Sequence, residues 1–240
     1  MSKKIAVVQS CYIPWKGYFD LINQVDEFIL YDDMQYTRRD WRNRNLIKTP
    51  NGLDWLTIPV DVKGKYFQKI NEAQISDKSW AKTHWKTITA NYARAAYFKE
   101  YKDFFHELYL QCEQEDYLSQ VNFKCLQAIC SLLNIKTTLS WSTDYPVDDA
   151  LKKTERLVAL CQQSKATHYL SGPSASAYMQ HNLFNDVGVD VSYIDYSSYP
   201  PYEQLFGKFE HGVTILDLIF NAGPDAFAKV SKKTKQVSIR

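Results

Sequence analysis

The stretch IAVVQSCYIPWKGYFDLINQVDEFILYDD, residues 5–33, decides the fold. Ile5 to Gln9 is a short run rich in β-branched residues, long enough for one buried strand and too short for a helix. Ser10 to Trp15 is a loop, and Pro14 suits a turn or the first turn of a helix. From Lys16 onward, Tyr18, Leu21, Ile22 and Val25 fall at helical spacing. Glu27 to Tyr31 is a second strand that ends on Asp32-Asp33. Strand, loop, short helix, strand is a βαβ crossover, the opening of a parallel sheet.

Outward from that unit the chain alternates. Asn51-Gly52 is a turn signal that sets Leu46-Ile47 facing Leu56 and Ile58, in the strand from Asp54 to Val60, as a small hairpin. Residues 78–133 carry a helical pattern, with Asp77 as N-cap, and read as three helices inserted between strands. After them come a strand over 137–141, a helix over 154–163, a strand over 168–170, a short helix over 174–182 and a strand over 189–194. Two last helices, 214–220 and 225–230, precede a frayed basic tail from Lys232 to Lys235. The pattern predicts a single α/β domain over residues 1–240: a doubly wound, mostly parallel sheet with a helical insertion at about 78–133 and a small hairpin. Ligands of such sheets sit at the carboxyl ends of the strands. That edge gathers Gln9 to Trp15, Tyr31 to Gln35, Trp141 to Asp144, Ser171-Gly172-Pro173 and Asp195-Tyr196.

Composition narrows the function. The net charge is +2, with 29 basic and 27 acidic residues, which argues against a nucleic-acid binder. Aromatic residues make up 15% of the chain, a surplus that suits a pocket for a sugar or a base. The five cysteines are odd in number and form no C-x-x-C pair, so neither a disulfide framework nor a cysteine metal site is expected. The apolar run after Met1 is too short for a signal peptide or a membrane span, so a cytoplasmic location is expected.

Two segments concentrate the chemistry. The first, Gln9 to Asp20, holds Gln9, Tyr12, Trp15 and Tyr18 at a strand-to-helix connection, with no G-x-G-x-x-G or Walker loop. The second, Asp32 to Asn45, packs three carboxylates and four arginines into 13 residues, with Gln35, Tyr36 and Trp41 between them. Arg38, Arg39, Arg42 and Arg44 have the forked geometry for phosphate or carboxylate. Asp32 and Asp33 are candidate bases, as is His84, which shares a helical face with Trp80. Ser171 and Gly172 open a small-residue loop that a ligand can approach closely. Cys11 lies near a helix start, where a thiolate is favoured. No zinc-ligand spacing is present, and no metal is expected from the spacing.

Taken together, these motifs resemble the WbqC-like family. The resemblance is carried by Gln9-Ser-Cys-Tyr-Ile-Pro-Trp-Lys-Gly-Tyr-Phe-Asp20, by Asp32 through Asn45 and by Lys48-Thr-Pro-Asn-Gly52. It continues in Trp80 to Trp85, Leu170 to Pro173 and Ile215 to Asn221. It implies a part in bacterial O-antigen or capsule biosynthesis, as acyl or aminoacyl transfer to an amino sugar on a nucleotide or lipid. It implies no catalytic residue. The family pattern commonly has proline where this chain has Ser10-Cys11, so a Cys11 nucleophile is not implied. On this reading the arginines hold a diphosphate or a donor carboxylate, Tyr12, Trp15 and Trp41 pack on rings, and Asp32, Asp33 or His84 takes the amine proton. Replacing Arg39 or Arg42 by alanine would then abolish binding of a sugar nucleotide. Two other readings stand beside it. One is a ligase-like enzyme using ATP and magnesium, with the metal on Asp32 or Asp33. The other is a non-catalytic sugar-nucleotide binder that forms a homodimer through the aromatic helices of 97–133.

Overall fold

A computed structural model describes residues 2–232 and 234–239. The opening unit forms as β1 (Lys4–Val8), α1 (Lys16–Asn23) and β2 (Glu27–Leu30). Residues of β1 alternate between two faces of the sheet. Ala6 enters one buried cluster with Phe28 and Leu30, while Ile5 and Val7 enter another with Ile29. A strand buried on both faces needs an apolar residue at every position, which is why the run Ile5 to Val8 has no polar interruption.

After β2 the chain forms the hairpin β3 (Arg44–Thr49) and β4 (Gly52–Thr57), with Leu46 opposite Trp55 and Ile47 opposite Asp54. Gly52 sits at φ 111°, a conformation open to glycine, and closes the turn. The expected insertion is α2 (Trp80–Tyr92), α3 (Phe98–Glu113) and α4 (Leu118–Leu132). Next come β5 (Thr138–Trp141), α5 (Lys153–Gln163), β6 (His168–Ser171), α6 (His181–Asn185) and β7 (Asp190–Asp195). The chain closes with α7 (Ile215–Ala222), α8 (Ala226–Ser231) and β8 (Lys235–Ile239).

The main sheet runs in the order β5-β2-β1-β6-β7-β8, and all neighbours are parallel except β7 and β8. Side chains of α1 to α4, α7 and α8 share one buried cluster, and those of α5 and α6 share the other. The sheet is therefore doubly wound, and the inserted helices form part of one covering layer. Phe98, Phe105 and Tyr109 are buried in that layer, which leaves Tyr97, Phe104 and Leu110 as the exposed large apolar groups of α3 and its approach. Two local expectations change. The helix expected over 174–182 is a 3-10 turn at Pro173–Ala177 followed by α6. The expected frayed tail leads into β8, which pairs antiparallel with β7 from Asp195↔Lys235 to Val191↔Ile239. Lysines mask this strand in the sequence, but an edge strand tolerates them and still satisfies the outer hydrogen-bonding row of β7.

Candidate functional site

From β1 the chain winds one way to β2 and β5, then returns to lay β6 on the other side of β1. Strand order reverses there, and a crevice must open at the carboxyl ends of β1 and β6. A cleft of about 1200 Å³ occupies that place. Gln9 and Trp15 line it from the β1 side, and Ser171, Gly172 and Ser174 from the β6 side. Tyr18 of α1 forms part of its wall, Gln35 and Trp41 come from the segment after β2, and Lys153 and Thr154 from the start of α5. Tyr178 and Tyr196 complete an aromatic rim. Trp15 meets Tyr196 edge-on at 4.9 Å. A Cβ at Gly17 would lie 2.3 Å from the Trp15 ring, so glycine there lets the indole fold against the helix start.

The two motif segments are locked together beside this cleft. Tyr12 N donates to Trp41 O at 3.0 Å. The Asn45 amide donates to the carbonyls of both Tyr12 and Ile13, each at 3.0 Å. Ile13 is held at φ 34°, a strained setting for a β-branched residue. Asn122 of α4 donates to Ser10 Oγ and to Arg42 O, both at 2.9 Å. Asp32, 1% exposed, accepts from Ser10 N at 2.8 Å, and burial pushes its carboxyl up to about 6. Its Oδ2 is buried with no hydrogen-bond partner.

This locking consumes groups that the sequence offers to a ligand. Arg42 donates to Cys11 Sγ at 2.9 Å and lies 3.5 Å from Asp40. Burial holds the Cys11 thiol up at about 11 despite that neighbour, which disfavours a Cys11 thiolate. The Arg44 guanidinium covers the Trp55 ring at 3.9 Å and donates to Arg39 O. Arg38 and Arg39 are exposed. None of the four arginines lines the cleft. Tyr12 is buried in the core, where its hydroxyl lies 2.9 Å from His84 Nδ1 and 2.6 Å from Tyr109 Oη. His84 Nε2 stands 3.2 Å from Thr57 O, which can only accept. Nε2 therefore carries the hydrogen, and Nδ1 accepts from Tyr12. Burial pulls His84 down to about 4, so the ring is neutral and both nitrogens are committed.

Asp33 takes a different place. Its carboxylate pairs with Arg156 and accepts from the Ser142 hydroxyl, and it lines a recess of about 440 Å³ that adjoins the cleft. Tyr31, Met34, Gln35 and Lys153 border both spaces. With both Asp33 oxygens engaged and Asp32 sealed from solvent, the pair does not fit a magnesium site. Among the described residues no three His, Cys, Asp or Glu side chains gather as metal ligands.

A second buried polar cluster braces the rim from behind. Lys16, 2% exposed, points its ammonium to within 5.5 to 5.9 Å of the rings of Trp15, Tyr199, Tyr202 and Phe209. It donates to His211 O at 3.2 Å, and burial pulls it down to about 8. Asp217 accepts from Tyr92, Tyr202 and Gln204, and Lys48 donates to Gln204 and to Lys208 O. Asp20 accepts from Tyr199 at 2.6 Å. These bonds tie the long segment after β7 to α1 and α7 and so fix Tyr196 against Trp15. The sequence hides this network because its members are far apart in the chain. Lys16, Lys48 and Asp217 nonetheless lie inside the motifs quoted above.

A family model described as the WbqC-like protein family matches residues 9–229, nearly the whole chain. The chain belongs to the WbqC-like protein family. Among curated proteins it is similar to uncharacterized protein Rv1507c of Mycobacterium tuberculosis (strain ATCC 25618 / H37Rv), with 54% identity over 224 residues, covering 93% of this chain and 96% of that protein. No solved structure matches the chain. The matched region includes every residue that lines the cleft except Val7 and Val8 of β1. Among the described residues no helix is long and apolar enough to cross a membrane.

Proposed function

We propose that this protein acts in bacterial surface-polysaccharide biosynthesis, transferring an acyl or aminoacyl group to the amine of a sugar carried on a nucleotide or a lipid. Membership of the WbqC-like family supports the pathway, and one observation carries the site: the cleft at the switch point, rimmed by Trp15, Trp41, Tyr178 and Tyr196. Flat aromatic faces suit the apolar face of a sugar ring or a base, and Gln9, Gln35, Ser171 and Ser174 offer hydrogen bonds to hydroxyls. In the reaction the amine nitrogen attacks the carbonyl carbon of the activated donor. The bond from that carbon to the donor's leaving group breaks, and the nitrogen gives its proton to a base. Of the three carboxylate and imidazole candidates, all buried, Asp33 borders the ligand space, while Asp32 and His84 line neither the cleft nor the recess.

The test is mass spectrometry of the surface polysaccharide from a strain lacking this gene. The reading predicts a polymer of normal backbone with one acyl or aminoacyl substituent missing from an amino sugar. An unchanged polymer, or loss of the whole polymer, would contradict it.

A further inference from the structure

We propose that the recess beside the cleft, walled by Lys69, Lys153 and Arg156, holds the diphosphate of an activated sugar whose ring lies among the aromatic side chains. This rests on the sugar reading above and deepens it. The recess opens into the cleft, and Lys153 borders both, so one extended ligand can occupy the two spaces together. Four cationic side chains (Lys69, Lys152, Lys153 and Arg156) line it against two carboxylates, Asp33 and Asp149. The balance favours a multiply charged anion.

Three details favour a ligand here. Neither Lys69 nor Lys153 has an ion-pair partner among the described residues, and Lys152 gives its ammonium only to the carbonyl of Asp149. Arg156 is 5% exposed, pairs with Asp33 and Asp149 and donates to Asp148 O, and its Nε is buried with no hydrogen-bond partner. Its guanidinium is thus fixed in the recess wall by those partners and adds its charge to that of the lysines. Lys152, Lys153 and Arg156 also bring the first turn of α5 to the edge of the same space, where its amides favour negative charge. The arginine-rich segment, by contrast, has spent Arg42 on Cys11 and Arg44 on Trp55, and Arg38 and Arg39 stand outside. The diphosphate therefore belongs with the lysines, and the expectation that Arg39 or Arg42 holds it is replaced.

Isothermal titration calorimetry on the full chain tests this with inorganic pyrophosphate, UDP, dTDP, UDP-N-acetylglucosamine and farnesyl diphosphate as probes. The wild type should bind at least one, more weakly as salt rises. Lys69→Gln and Lys153→Gln should each weaken that binding about tenfold, the loss of one charge-assisted contact, while Arg38→Gln and Arg39→Gln stay within about twofold. Tighter binding of UDP or dTDP than of pyrophosphate supports the recess with a nucleotide carrier, and tighter binding of farnesyl diphosphate supports it with a lipid carrier. Lysine-dependent pyrophosphate binding that gains nothing from either attachment keeps the anion site and defeats the sugar-carrier reading. Binding of UDP-N-acetylglucosamine that both lysine variants leave intact keeps that reading and overturns the recess. No binding of any diphosphate, or loss confined to the arginine variants, overturns the recess as well.

Discussion

Asp32 and His84 show how burial turns candidate catalytic groups into determinants of stability. The folded protein holds the Asp32 proton more tightly than the unfolded chain, at about 6 against 3.8. Its contribution to stability is therefore complete below 3.8 and is lost as pH rises through about 6. His84 has the opposite sign. It is pulled from 6.5 to about 4, so its contribution is present above 6.5 and is lost as pH falls through about 4. In the wild type the two slopes oppose each other. Asp32→Asn keeps an acceptor for Ser10 N and removes one slope. Urea unfolding of this variant across pH 4 to 6.5 should show stability falling steadily as pH is lowered, more steeply than in the wild type. Identical pH profiles would mean that Asp32 titrates as an ordinary exposed carboxylate. Neither residue's setting can be read from sequence. Both look like chemistry there, because sequence shows what a side chain can do and not which partners surround it.

At the scale of elements, the loop after β1 is shaped by a single amide. Asn45 on β3 donates to two consecutive carbonyls and so joins the hairpin to the loop that presents Trp15. Asn45→Asp would set a carboxylate against those carbonyls in a site 3% exposed. The cost should be about 3 kcal/mol or more, since a buried charge would lose its donors and face like partial charges. Asn45→Ala should cost about 1–3 kcal/mol. Chemical denaturation measures both, and equal losses for the two variants would contradict the clamp. The elements themselves were legible wherever burial imposes a pattern. The run Ile5 to Val8 could only be a two-faced strand, and Asn51-Gly52 could only be a tight turn between strands. The strand β8 escaped because an edge strand need not be apolar, and the split before α6 escaped because Pro173 allows a 3-10 turn as readily as a helix.

For the whole molecule, the βαβ opening already implied a crevice at the strand ends, and Gln9, Trp15, Tyr18, Gln35, Trp41, Ser171 and Gly172 do meet there. The position of a site follows from topology, and topology follows from the order of elements. The arginines show the limit of sequence for a related reason. Their charge is visible there, but the directions of Arg42 and Arg44 are set by Cys11 and Trp55, which only the fold brings near. Lys69 and Lys153 drew no notice because neither lies in one of the motif segments. On the proposed function, substrate binds in the cleft between the ends of β1 and β6. Amide hydrogen exchange with and without a saturating UDP- or dTDP-sugar tests it most directly. Binding there should slow exchange over residues 9–18, 31–35, 152–157 and 171–178, with the hairpin 44–57 unchanged. Protection confined to that hairpin or to α2 and α3, with the strand ends exchanging as in the free protein, would contradict it.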